Sequence, residues 1–176
     1  MINASKEFSN IVYGEGNKLF IGKASVELAD STQLLIVNSD IWDSGIQVTE
    51  QTSNSGNFDI GFCACYQLVL KLDNTKGKYS TYDFNNAVVR PYVGLQLSET
   101  LEYLKKGVFT VDLPEQKGSY INLVCMDNMH KLDTQITSLS GATAGIIIYN
   151  ICTACGVSLK AADFDGYDRV LPLPED

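Results

Sequence analysis

The chain has 176 residues, 45% hydrophobic and 19% charged, a balance that supports a domain with its own core and excludes a disordered chain. Formal net charge is −8 with a pI near 4.6, so phosphate backbones are repelled and specific nucleic-acid binding is disfavoured. The apolar runs, such as Ile146 to Tyr149, are far short of the roughly 20 residues that a membrane helix needs, so no membrane insertion is expected.

The first residues, Met1 to Phe8, show no charged-then-apolar leader, and synthesis and folding in a cytoplasm are expected. Five cysteines, an odd number, argue against a disulfide framework. Residues 1–17 carry Asn10, Gly14, Gly16 and Asn17 and read as a loose arm or edge segment. Lys18 to Leu28 then reads as a strand with Ala24, Val26 and Leu28 on one face. Asp30-Ser31 makes a turn, and Gln33 to Val37 returns with Leu34 and Ile36 inward, giving a hairpin.

Asn38-Ser-Asp40 breaks the pattern before Ile41-Trp42, and Ile46 and Val48 alternate with Gln47 and Thr49. Gln51 to Asn57 is polar and reads as a loop. The clearest strand is Gln67 to Asp73, whose Leu68, Leu70 and Leu72 share one face, the mark of a sheet with one buried side. Ala87 to Leu97 is apolar on both faces at its centre. Its Pro91 lacks an N–H, so an edge position or a bulge is expected there. Leu101 to Lys105 and Gly107 to Leu113 flank a turn at Lys106-Gly107, and Lys117-Gly118 turns into a last strand, Tyr120 to Met126. Short strands at roughly 10-residue spacing indicate an antiparallel barrel or sandwich.

After Asp133 the period changes. Ala144, Ile147, Ile148, Ile151, Cys152 and Cys155 form one helical face, with Thr143 as N-cap and Gly156 in the left-handed position past the end. The opposite face, Gly145, Ile146, Tyr149 and Ala154, is hardly more polar, so this helix is expected to need cover from further chain or another subunit. The last stretch, 157–176, reads as an extended connection with Pro172 and Pro174.

Several short motifs occur in order: Asp40-Ile-Trp42, Tyr82-Asp-Phe84, Tyr92-Val-Gly-Leu95, Lys106-Gly-Val-Phe-Thr-Val111, Cys125-Met-Asp-Asn-Met129, and Thr143 to Val157 with its Cys-x-x-Cys-Gly-Val ending. As an ordered set they resemble the N-terminal part of the baseplate or tail hub proteins of long-tailed bacteriophages and prophages, over roughly residues 18–176. The resemblance implies a mainly β chain, with a hub-type antiparallel β-barrel over 1–132. One α-helix and an extended tail over 133–176 would begin a second, incomplete α/β domain. It implies a structural protein and no enzyme, located at the virion tail tip. Its partners would be the tail tube, distal tail protein, tape measure and the remaining part of the hub, in a homotrimer. The acidic balance suits a channel along which DNA slides without sticking.

Chemistry has few other footholds. Cys152-x-x-Cys155 with Cys63-Ala-Cys65 supplies four thiols for zinc, but this is not a standard spacing, and Cys152 and Cys155 lie on the stripe assigned to the core. His130 is the single histidine, next to Cys125, Asp127 and Asp133 in sequence, with no nucleophile elbow anywhere, and reads as a surface residue. Asp163, Asp165 and Asp168 lack the closing glutamate of a calcium loop; Glu99 and Glu102 have no acid–base partner; Gly14-Glu-Gly16 is no phosphate loop. No catalytic residue and no cofactor are expected. Trp42, Tyr82, Phe84 and Tyr92, with Ile146 and Tyr149 of the helix, are the candidate interface residues. The alternative is a small β-barrel binding module whose aromatic face (Trp42, Tyr79, Tyr82, Phe84, Tyr92) recognises a carbohydrate or peptide.

Overall fold

The computed structural model describes residues 4–15, 17–51, 65–98, 100–132 and 143–158. It divides into two compact units, the first ending at Asp127 and the second starting at Asn128. The first holds helix α1 (Lys6–Tyr13) and strands β1 (Phe20–Glu27) and β2 (Gln33–Ile36), then a 3-10 turn (Asn38–Asp40) and β3 (Ile41–Gln51). It continues through β4 (Cys65–Asp73), β5 (Val88–Gln96), β6 (Leu101–Lys105), β7 (Phe109–Lys117) and β8 (Tyr120–Met126). The second unit holds a 3-10 turn (Asn128–Leu132) and helix α2 (Ala144–Ala154).

The described strands form one antiparallel sheet in the order β2-β1-β5-β7-β8-β4-β3, with β6 also beside β5. Alternation decides which face is buried. Ala24 and Val26 of β1, the three leucines of β4 and Leu123 and Cys125 of β8 are sealed from solvent in one cluster with Tyr79, Phe84, Val89, Phe109 and Val111. Each leucine so buried contributes about 1.5–3 kcal/mol. Gln51, expected to open a loop, still pairs with Cys65; the rest of that expected loop falls within residues 52–64, outside the described ones.

The expected barrel is not closed. β2 and β3 remain the two edges of the sheet. The sheet curls until β1 and β3 approach, but side chains fill the gap where a ladder would run. Asn38 Oδ1 accepts the Gly22 N–H at 3.0 Å. A Cβ at Gly22 would lie 3.0 Å from Ile41 Cδ1 and 3.1 Å from Ile46 Cγ2. The reason is local: β2 is only four residues long, and the chain then spends Asn38–Asp40 on a turn before β3 begins.

Pro91 is neither at an edge nor in a bulge. β5 pairs with β1 along its whole length, and Pro91 faces Ala24 with no break in register. On its other side the neighbour changes: Val88 and Val89 pair with β7, whereas Tyr92 to Gln96 pair with β6. The Pro91 carbonyl points to that seam, where it accepts the Lys106 N–H at 2.9 Å. In an antiparallel strand a residue's N–H and C=O share a side, so the missing N–H falls where the ladder is already interrupted. β6 and β7 are therefore not the two arms of a hairpin; they follow one another along β5.

The N-terminal stretch, expected to be a loose arm, is helical. Ser5 Oγ caps α1 by accepting the Phe8 N–H at 3.0 Å. Phe8, Ile11 and Val12, at helical spacing, pack on Leu95, Leu97 and Leu104 as a second small cluster. Two carboxylates fasten it: Glu102 accepts the Ser5 N–H, and Glu7 accepts both the N–H and the hydroxyl of Ser98.

α2 follows the sequence closely. Thr143 caps it by accepting the Ile146 N–H, and Gly156 takes φ +67° just past its end. Cys152 is buried, Ala144, Ile147, Ile148, Ile151 and Cys155 are half-buried, and Ile146 and Tyr149 are exposed.

Candidate functional site

The most distinctive surface lies at the start of β3. Ile41 pairs with Leu72 and Ile46 with Leu70, so the four residues Trp42 to Gly45 face the single residue Lys71. Such a bulge re-aims side chains. Asp43 takes φ +43°, a left-handed conformation that a non-glycine residue adopts at a cost. Gly45 is required for space: a Cβ there would lie 2.5 Å from both Lys71 Cβ and the Trp42 carbonyl. The bulge sets the Trp42 ring against Tyr120 of β8, stacked at 5.9 Å between centroids and 20° between planes. Tyr120 is the direct cross-strand neighbour of Asp73, on the outer face of the sheet.

Asp73, paired with Tyr120, belongs to a polar cleft of about 310 Å³ lined by Ser39, Asp40, Asp73, Thr75, Lys76 and Lys78. Its walls are the 3-10 turn before β3 and the turn after β4. Asn74, itself buried, builds the second wall: its Oδ1 accepts the Tyr79 N–H at 2.8 Å, its Nδ2 donates to Ser80 Oγ, and its carbonyl accepts the Gly77 N–H. Asp73 accepts the Thr75 N–H at 2.9 Å, which holds its carboxyl below the ordinary value.

Lys78 Nζ donates to Asp40 Oδ1 at 2.7 Å. Burial pushes the Asp40 carboxyl up, but the Lys78 ammonium and the Val37 N–H outweigh it and leave it lowered. The same hydrogen bond pushes Lys78 up to about 12. Next to this pair is Tyr79, 2% exposed, with its hydroxyl oxygen buried and no hydrogen bond of sound geometry. Burial raises the Tyr79 phenol, and Lys78 and Asp40 both act on it. Chemically the cleft offers carboxylates as acceptors, ammonium and hydroxyl groups as donors, and an aromatic pair alongside.

The aromatic residues singled out in the sequence do not form one face. Tyr79, Tyr82 and Phe84 touch one another with centroids 6.4–6.5 Å apart, but Tyr79 and Phe84 belong to the core and only Tyr82 reaches the surface. Tyr92 is elsewhere, paired across β1 with Lys23, whose ammonium is 5.2 Å from its ring and 3.6 Å from that of Tyr103. Trp42 stacks on Tyr120, the cross-strand neighbour of Asp73.

Of the thiols, Cys63 and the side chain of Cys65 lie outside the described residues, and Cys152 and Cys155 share the covered side of α2. Among the described residues no group of three or more His, Cys, Asp or Glu is placed to hold a metal. Cys125 is sealed in the core and its thiol is pushed up to about 12 by burial, which leaves it unreactive as a nucleophile. His130 is exposed in the 3-10 turn of the second unit. Residues 163–168 lie outside the described residues.

The cleft itself escaped the sequence reading, although one signal was present. Ile41 and Ile46 are five apart, so a strict period of two cannot turn both inward; at least one extra residue must be absorbed between them. No protein-family model, curated protein or solved structure matches the chain.

Proposed function

We propose that the chain is a structural protein of a phage or prophage tail tip, the N-terminal portion of the baseplate hub that joins the tail tube to the tip complex. One observation supports this reading: the ordered motifs fall on successive elements of the fold, several of them at turns and boundaries. Asp40-Ile-Trp42 spans the turn and the bulge that begin β3, Tyr82-Asp-Phe84 leads into β5, and Tyr92 to Leu95 covers the β5 segment paired with β6. Cys125 to Met129 crosses the boundary between the two units. On this reading α2 begins an incomplete α/β domain, and its exposed Ile146 and Tyr149, with Tyr82 of the first unit, meet other tail proteins or other copies in a homotrimer. The partners are the tail tube, the distal tail protein, the tape measure and the rest of the hub. The protein works by presenting surfaces, without catalysis.

The test is direct. Antibody raised to the chain is applied to particles induced from the source bacterium and viewed by electron microscopy. Label at the tail tip is the expected result. Intact tails that carry no label, while the protein is expressed, would remove the reading.

A further inference from the structure

We propose that the cleft between the 3-10 turn Asn38–Asp40 and the turn Asn74–Ser80 binds a neutral saccharide unit, with the stacked Trp42–Tyr120 pair, joined to it through the Asp73–Tyr120 cross-strand pairing, as the nearest exposed aromatic surface. This inference is independent of the tail reading and would hold for the same chain in any other setting.

Charge argues first. The cleft is lined by two carboxylates, Asp40 and Asp73, and two ammonium groups, Lys76 and Lys78, with the hydroxyls of Ser39 and Thr75 between them. A simple anion meets the carboxylates and a simple cation meets the lysines, so neither gains from the site as a whole. A polyhydroxylated neutral ligand suits it, because every hydroxyl both donates and accepts and can satisfy carboxylate and ammonium in turn. Charge-assisted hydrogen bonds of this kind are also the stronger ones.

Shape and surroundings agree. The volume of about 310 Å³ falls at the small end of the ligand-pocket range, suited to one sugar ring and part of a neighbour. Trp42 and Tyr120 are half-exposed on the same outer face, held there by a bulge that requires Gly45 and places Asp43 at positive φ. Backbone outliers of this sort concentrate at functional sites. Lys78 is more than half exposed, and its ammonium is shared between Asp40 and the face of the Tyr79 ring, 5.0 Å away. A sugar hydroxyl bonded to Asp40 would release Lys78 toward the ligand.

Trp42 is the only tryptophan in the chain and stands two residues from Asp40, so its fluorescence reports from a single position close in sequence to the cleft. The protein is titrated with glucose, galactose and N-acetylglucosamine, with sodium chloride and glycine betaine as non-sugar controls. A saturable change with at least one sugar, absent with both controls, is expected. Asp73→Asn, which keeps an acceptor for the Thr75 N–H, and Lys76→Met, a surface change, should each weaken that binding about tenfold or more, as the loss of one charge-assisted hydrogen bond implies. Circular dichroism establishes that both variants are folded. No saturable response to any of the three sugars overturns the proposal. So does an equal response to glycine betaine, which would make the cleft a zwitterion site, and so does a sugar titration unchanged in both variants.

Discussion

Asp40 and Lys78 show how one contact links local structure to pH. The carboxyl of Asp40 is lowered in the folded chain, so its contribution to stability is complete above the unfolded value of about 3.9 and disappears as pH falls through the lower folded one. Lys78 is raised to about 12, so its share is complete below the unfolded value of about 10.4 and disappears as pH rises through about 12. The pair is partly exposed and is worth about 1 kcal/mol or less. Urea midpoints of the wild type and Asp40→Asn should therefore differ at neutral pH and converge on both flanks, as pH falls through the lowered Asp40 value and as it rises through about 12. A difference that does not shrink at all as pH is lowered would mean that Asp40 acts through something other than its charge.

At the scale of elements, the strands were legible because their period of two is nearly uninterrupted: Leu68, Leu70 and Leu72 declare β4 without help. α2 was equally plain, from its stripe and its Thr143 and Gly156 ends. α1 was missed for a physical reason. Its apolar face is only three residues, Phe8, Ile11 and Val12, and Asn10 and Gly14 obscured a pattern that Ser5 as N-cap already announced. The small cluster that docks it predicts separable behaviour. Phe8→Ala should cost about 3 kcal/mol, or the whole docking free energy of α1 if that is smaller. Amide exchange across Lys6–Tyr13 should quicken while that of Leu68–Leu72 stays slow. If both segments quicken together, α1 is part of the main cooperative unit.

For the whole molecule, the sequence period states which face of each strand is buried but not which strand lies beside which. That is why an open, curled sheet was read as a barrel: the inward residues are the same in both. The difference rests on a few contacts at Gly22, where Ile41 and Ile46 stand in for a hydrogen-bonded neighbour. Gly22→Leu should force β1 and β3 apart and lower stability by about 1–3 kcal/mol, read from the shift in the urea midpoint. An unchanged midpoint would mean that the gap yields without cost. The cleft beside Trp42 was hidden for a related reason: its six residues come from two turns that only the β3–β4 pairing brings together.

The strand order also governs how the chain reaches this state. The hairpins β1–β2 and β7–β8 join neighbours, but the ladders that complete the sheet pair Phe20 with Leu95 and Gln67 with Met126. Closing such distant pairs spends chain entropy before any contact rewards it, which places folding in the slow, millisecond-to-second range of β proteins. β4 must therefore wait for β8, the last of the described strands to be synthesised, before both its sides are covered. Until then its three leucines are half-sheltered, and the first unit is at its most exposed to association with other chains as its synthesis ends.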